Sequence, residues 1–294
     1  MVDRMKYKFG KLPKKIDTRT LQLKNYLIEK NLPLLPDSYN IDDQYDNLVD
    51  TNTYDNTKYG DCVIAGRAHM TLRFERYEQG IVIPISDDDV ITEYFNETNG
   101  VDSGLVMLNS LNKWRKNGWI AANKLYNIHA YAEINIKNYD ELKYCIYLLN
   151  GAYTGFSVPQ SAIDQFSKGE VWTVPSFYSP IVGGHCVYVK AYNNIGPICV
   201  TWGKDQQMTW EFWNKYFDEA YGVIDNTDEW IDPTIDPLDI PKLDKQLSEI
   251  TSEPVNPEPS PCIFGRTIAK ILNMFPYVLR RRGRFKYVNV RRNK

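Results

Sequence analysis

Cys62 stands where Tyr59-Gly60-Asp61 gives way to the proline-free run CVIAGRAHMTLRFERYEQ, in which Ile64, Ala65, Ala68 and Leu72 recur at helical spacing. A thiol at the start of a helix lies among unpaired backbone N–H groups and the positive end of the helix dipole, both of which favour its thiolate. Cys62 is therefore the candidate nucleophile, although Asp61 beside it would raise the thiol pKa. Cys145, Cys186 and Cys199 sit in apolar runs, where a thiol serves as a small buried hydrophobe. With Cys262 the cysteines number five and cannot all pair, and none forms a CxxC or a zinc-spaced Cys/His cluster. A reduced compartment, no metal and no cofactor are expected.

A thiol nucleophile needs a base, and the chain has 3 histidines. His69 follows Cys62 by two helical turns, about 10 Å along the axis, too far to take its proton. His129 falls in a loop or at a strand start. His185, in VGGHCVYVKAY, opens a strand behind two glycines that let backbone approach closely, and it is the candidate base. Asp87, Asp88 and Asp89 read as a helix start whose acids complement the dipole, with no metal required.

The elements that must position these groups fall into two halves. Helices are expected over 62–79, 87–94, 104–117 and 139–149, and strands over 152–158, 186–192 and 197–202, an α+β arrangement. Trp202, Trp210, Trp213, Tyr216 and Tyr221 are expected to pack behind the imidazole as cleft wall.

Residues 1–49 read as an N-terminal arm lying on the body, with a helix over 18–29. The body spans 50–225, and 226–262 is an acidic, Pro-rich linker with a short helix around 242–250. Residues 263–294 form a basic amphipathic tail carrying ten Lys or Arg and no acid, which leaves −12 on the preceding 262 residues although the net charge is only −2. The composition, 43% hydrophobic and 24% charged across 294 residues, excludes collagen-like, coiled-coil and wholly disordered chains. The charged N-terminus reads as no secretion signal and no run suits a membrane span, so a cytoplasmic or virion-associated location is expected.

Over roughly 56–225 the chain resembles the papain-like cysteine peptidases. The likeness follows that fold's order: a Cys opening the first long helix, TNGVDSGLVMLNSLNKWRKNGW at a Gly-rich turn and cleft helix, GGHCVYVKAYN at the catalytic His strand, and VTWG at an Asn-Ser-Trp-Gly motif. The resemblance implies a cleft between a helical half and an antiparallel β half, Cys62 as nucleophile and His185 as base. It implies Asn56, six residues before Cys62, as the amide that helps bind the oxyanion; the bland reading of Asn56 is a turn residue in DNTKYGD. The residue orienting the imidazole aligns with Val200 or Thr201, neither of them Asn, and Thr201 has the hydroxyl that could bond the ring. The sequence also resembles a bacterial and phage branch with GDC, WRKNG, GGH and TWG segments.

Two function classes follow. In one the chain is a thiol hydrolase acting on peptide or related amide bonds, with a peptide or protein as substrate. In the other it is a catalytically inactive scaffold, a structural or cargo component of a phage virion or other assembly. In the tail, apolar residues interleave with basic ones, which suits a protein partner first, nucleic acid second and a membrane surface least.

Overall fold

The computed structural model describes residues 7–44, 49–225 and 237–251. The expected basic tail and much of the expected linker lie outside these residues.

Helix α1 (Cys62–Gln79) opens at Cys62, as its Ala, Leu, Met and Arg content favours, and closes on Gly80 in the left-handed conformation at φ 70°. Helix α2 (Asp87–Thr98) begins in a capping box between Ser86 and Asp89, so the acids there serve its N-terminus. Helix α3 (Met107–Asn117) ends against Gly118. Its start is three residues later than Gly104, because Leu105 spends its N–H and carbonyl on the chain's own residues 10 and 12. Helices α4 (Tyr139–Leu148), α5 (Gln160–Lys168) and α6 (Trp210–Tyr216) follow.

The sheet takes β1 (Tyr39–Asn40), β4 (Ile128–Glu133), β5 (Ala152–Pro159), β6 (Ile181–Tyr192), β7 (Pro197–Thr201), β8 (Lys204–Gln207) and β9 (Phe217–Asp225). Its order is β4-β9-β5-β6-β7-β8 with β1 added to β6, and all these pairings are antiparallel. A small hairpin, β2 (Trp119–Ala121) with β3 (Lys124–Tyr126), stands apart. The chain is thus α+β.

Successive residues of each strand face opposite sides of the sheet, and the two faces feed two apolar clusters. Tyr153, Cys186, Tyr188, Val200 and Tyr221 join α1, α2 and α3 on one side. Ala152, Phe156, Val187, Val189 and Cys199 join α4, α5 and α6 on the other. The Tyr153 hydroxyl, buried between α1 and β5, donates to the Val63 carbonyl and ties the helical half to the sheet.

The expected helix over 18–29 is absent; short 3-10 turns at Leu23–Asn25 and Glu29–Asn31 replace it. The reason is tertiary. Gln22 bridges Glu133 in parallel, the Glu133 N–H donates to the Leu21 carbonyl at 2.7 Å, and Leu21, Leu23 and Tyr26 all enter the core. Pairing with the end of β4 outweighs a modest local helical tendency. Within the expected linker, helix α7 (Ile240–Thr251) packs on the body through buried Leu243, while Leu27 and Leu238 pair antiparallel and His129 Nε2 meets Asp244 at 2.6 Å. No helix among the described residues is long and apolar enough to cross a membrane.

Candidate functional site

Cys62 is the first residue of α1, so its N–H has no carbonyl one turn back to meet. The sulfur is buried and accepts from the Cys186 N–H at 3.4 Å, which sets it against β6 one residue from His185. Burial pushes the thiol pKa up to about 11; the N–H groups of Cys186 and Gly10 pull it back, the Asp61 charge adds to the rise, and the Lys11 N–H opposes it. In this state Cys62 is a neutral thiol.

His185 points to the face of β6 opposite Cys186. Its Nε2 lies 2.8 Å from the Thr201 hydroxyl and its ring stacks on Trp202 at 4.3 Å and 15°. The register of β6 on β7 carries Thr201 there, and the turn after β7 carries Trp202. Thr201 and Lys204 pair around the two-residue loop Trp202-Gly203, both of whose residues have positive φ, 44° and 84°. Gly203 accepts this freely. Trp202 does not, and its strained backbone is what lays the indole over the imidazole. The other ring nitrogen, Nδ1, is buried without a hydrogen-bond partner, and burial drives the imidazole pKa down to about 3.

Asn56 lies in the turn before α1, buried. One Nδ2 hydrogen goes to the Tyr59 carbonyl at 3.1 Å and the other to Asp61 Oδ1 at 2.7 Å. Asp61 is fully buried and its Oδ2 has no partner; burial, only partly offset by the Asn56 bond, raises its pKa to about 8. The carboxyl next to the thiol is therefore neutral at pH 7, which removes most of the repulsion that an acid at this position would exert on a thiolate.

Cys62 thus meets β6 at Cys186, one residue from His185, and Thr201 holds the His185 ring, but no hydrogen bond joins the Cys62 sulfur to the imidazole; Asn56, in the turn before α1, points to Asp61. His69 is buried in α1 with its pKa lowered to about 3 by burial. Among the described residues, no group of three or more His, Cys, Asp or Glu could hold a metal ion.

Sequence reasoning missed the segment that fills the cleft. Residues 7–12 run between the halves, with the Lys8 N–H on the Asn56 carbonyl at 3.2 Å, the Lys11 N–H on the Gly184 carbonyl at 3.0 Å, and Leu105 bonded to the Gly10 carbonyl and the Leu12 N–H at 2.7 and 2.9 Å. The available signal was Gly10 between Phe9 and Lys11, a residue without a side chain in an otherwise bulky stretch.

A helix carrying a thiol at its start, packed across an antiparallel sheet that presents a histidine, can be compared with solved structures. Xylellain, a cysteine protease from Xylella fastidiosa, superposes at a TM-score of 0.59 over 76% of this chain and 98% of its own, with 17% identity. The chain has a papain-like fold. Procathepsin B S9 from Trypanosoma congolense matches at 0.56 over 74% of this chain and 87% of its own, with 13% identity. The ragweed pollen cysteine protease Amb a 11, in its proform, matches at 0.53 over 78% of this chain and 69% of its own, with 14% identity. No protein-family model matches the sequence, and no curated protein does. The papain-like fold is thus carried by a sequence far from those of its structural neighbours.

Proposed function

We propose that the chain is a cysteine peptidase in which Cys62 attacks a peptide carbonyl and His185 takes the thiol proton through Nδ1. Thr201 holds the imidazole by Nε2 and Trp202 shields it, so the unpartnered nitrogen is the one left for proton transfer. That half-satisfied, rigidly mounted histidine is the observation that most supports the reading. The Cys62 N–H at the start of α1 is one donor to the oxyanion; Asn56 is the second once its bond to the Tyr59 carbonyl or Asp61 yields. Water then resolves the thioester, with His185 returning its proton first to the leaving amine.

Cleavage of an unfolded protein mixture by the full chain, against Cys62→Ala, tests it. Cys62-dependent fragments are expected; identical digests would refute it. The second reading, an inactive scaffold held in a phage particle or other assembly by its tail, draws on the neutral thiol and on the ten basic residues of 263–294.

A further inference from the structure

Cys62, Cys145, Cys186 and Cys199 are free and buried, and the sheet sorts them into two pairs. Cys145 and Cys199 belong to the apolar cluster of α4, α5 and α6, whereas Cys62 and Cys186 share the cluster on the α1 side. Cys145 is further occupied, since its thiol donates to the Gly151 carbonyl at 3.2 Å. The Cys186 thiol, by contrast, has no part in the peptide chemistry proposed above.

Cys62 and Cys186 meet at the first turn of α1. The Cys62 sulfur lies 3.4 Å from the Cys186 nitrogen, one covalent bond from the Cα that carries the Cys186 side chain. The Cys186 sulfur in turn stands over Gly66, four residues after Cys62 and so on the same helix face. A Cβ at Gly66 would come within 3.2 Å of that sulfur, so glycine leaves room for the thiol against the helix. Strand alternation fixes the direction: Cys186 faces α1, and His185 beside it faces the other side of the sheet. Burial pushes the Cys186 thiol up, and Cys62 adds to the rise. A neutral, enclosed thiol of this kind is inert until an electrophile forms next to it.

We propose that Cys62 and Cys186 form a redox modification site, in which a hydroperoxide oxidises Cys62 and Cys186 resolves the product to a reversible disulfide. First the Cys62 sulfur attacks a peroxide oxygen and the O–O bond breaks. Cys62 becomes a sulfenic acid, and the hydroperoxide leaves as an alcohol, or as water from hydrogen peroxide. Side-chain rotation then brings the Cys186 sulfur onto the Cys62 sulfur; the S–S bond forms, the S–O bond breaks, and the Cys186 proton leaves with the hydroxyl as water. The peroxide takes the electron pair that the two thiols lose. The disulfide removes the nucleophile but spares it from the irreversible sulfinic stage, and a small thiol restores both cysteines by exchange. This rests on Cys62 being a reactive thiol, as the peptidase reading also requires, and cleavage is scored apart from oxidation so that the two can fail separately.

The test uses the full chain, unaltered and carrying Lys11→Glu, whose carboxylate faces Asp218 and Glu219 and loosens residues 7–12 above the thiols. Each is treated with hydrogen peroxide at pH 7 without denaturant; free thiols are then blocked, and the chain is digested with trypsin and mapped by mass spectrometry. The peptides holding Cys62 and Cys186 are expected to be joined by a bond that dithiothreitol dissolves, at least tenfold more abundant than any link from Cys62 to Cys145, Cys199 or Cys262. With Cys186→Ala added, Cys62 should instead reach the sulfinic acid at least tenfold more than in the parent. Absence of the link from both chains, or equal sulfinic acid with and without Cys186, would overturn the proposal. The link without cleavage of an unfolded protein by the reduced chain would leave it standing and refute only the peptidase reading; cleavage without the link would do the reverse.

Discussion

The imidazole of His185 is governed by two neighbours with separable effects. Thr201 supplies a hydroxyl to a buried ring nitrogen, so Thr201→Val strands that nitrogen at a cost of about 1–3 kcal/mol while keeping the side-chain shape. Alkylation of Cys62 should then slow at least tenfold with a displaced pH profile, and Thr201→Ser should restore both; an unchanged profile would make Thr201 a plain strand residue. Asp61 gives a second test at this scale. Its pKa in the fold, about 8, lies above that of an unfolded carboxyl, so the fold retains a proton that the unfolded chain has released. The sign is fixed: between about pH 4 and pH 8 the Asp61 contribution to stability is present at the acid end and lost as pH rises. Asp61→Asn, neutral throughout and still an acceptor for Asn56, should thus gain urea resistance over the parent chain steadily from pH 5 to pH 8. Parallel curves would show that the carboxyl is not held neutral. The placement of Cys62 at a helix start, of the Thr201 hydroxyl on the His185 ring and of Trp202 against that ring was legible in the sequence, whereas what holds Asp61 neutral and what turns Trp202 was not. Asp61 acts through a burial that no local pattern reveals, and Trp202 through a strained turn set by the β7–β8 register.

Elements with strong periodicity came through the sequence intact: α1, α4 and the starts of β5 and β7 fall where apolar spacing and capping residues put them. Failures have tertiary causes. Residues 18–29 contain helix formers but give the Leu21 carbonyl to Glu133 and the Tyr26 carbonyl and Ile28 N–H to residues 239 and 237, and the start of α3 is delayed by Leu105 bonding residues 10 and 12. The short helix expected around 242–250 is present as α7, but the acidic, Pro-rich composition around it suggested a tether and not docking on the body. Its anchor is Leu243, wholly buried, with His129 and Asp244 as a flanking pair. Leu243→Ala should cost about 2–5 kcal/mol if α7 belongs to the cooperative unit, read as a lowered denaturation midpoint. A change below about 0.5 kcal/mol, the range of ordinary surface substitutions, would mean α7 is docked but not part of that unit.

At the scale of the whole molecule, both ends of the chain bear on what the body does. The N-terminal segment was expected to lie on the body; its seat in the cleft was not legible, because pairing between residues 10–12 and Leu105 joins stretches more than ninety positions apart. The segment 263–294 combines ten basic residues with interleaved apolar ones, a composition that suits anchoring to a protein partner. Its deletion should leave folding and Cys62 chemistry unchanged while abolishing co-purification with whatever assembly holds the chain, and retained association would refute the anchoring role. The central claim, that Cys62 and His185 form a nucleophile and base once the cleft is open, is tested most directly by iodoacetamide alkylation between pH 5 and pH 9, mapped by mass spectrometry in the full chain carrying Lys11→Glu, which sets a carboxylate against Asp218 and Glu219 and so loosens residues 7–12 from the cleft. The expected result is modification of Cys62 near neutral pH at least tenfold faster than of Cys145, Cys186 or Cys199, with that advantage lost on adding His185→Ala; a Cys62 no faster than the other thiols, or one indifferent to His185→Ala, would contradict it.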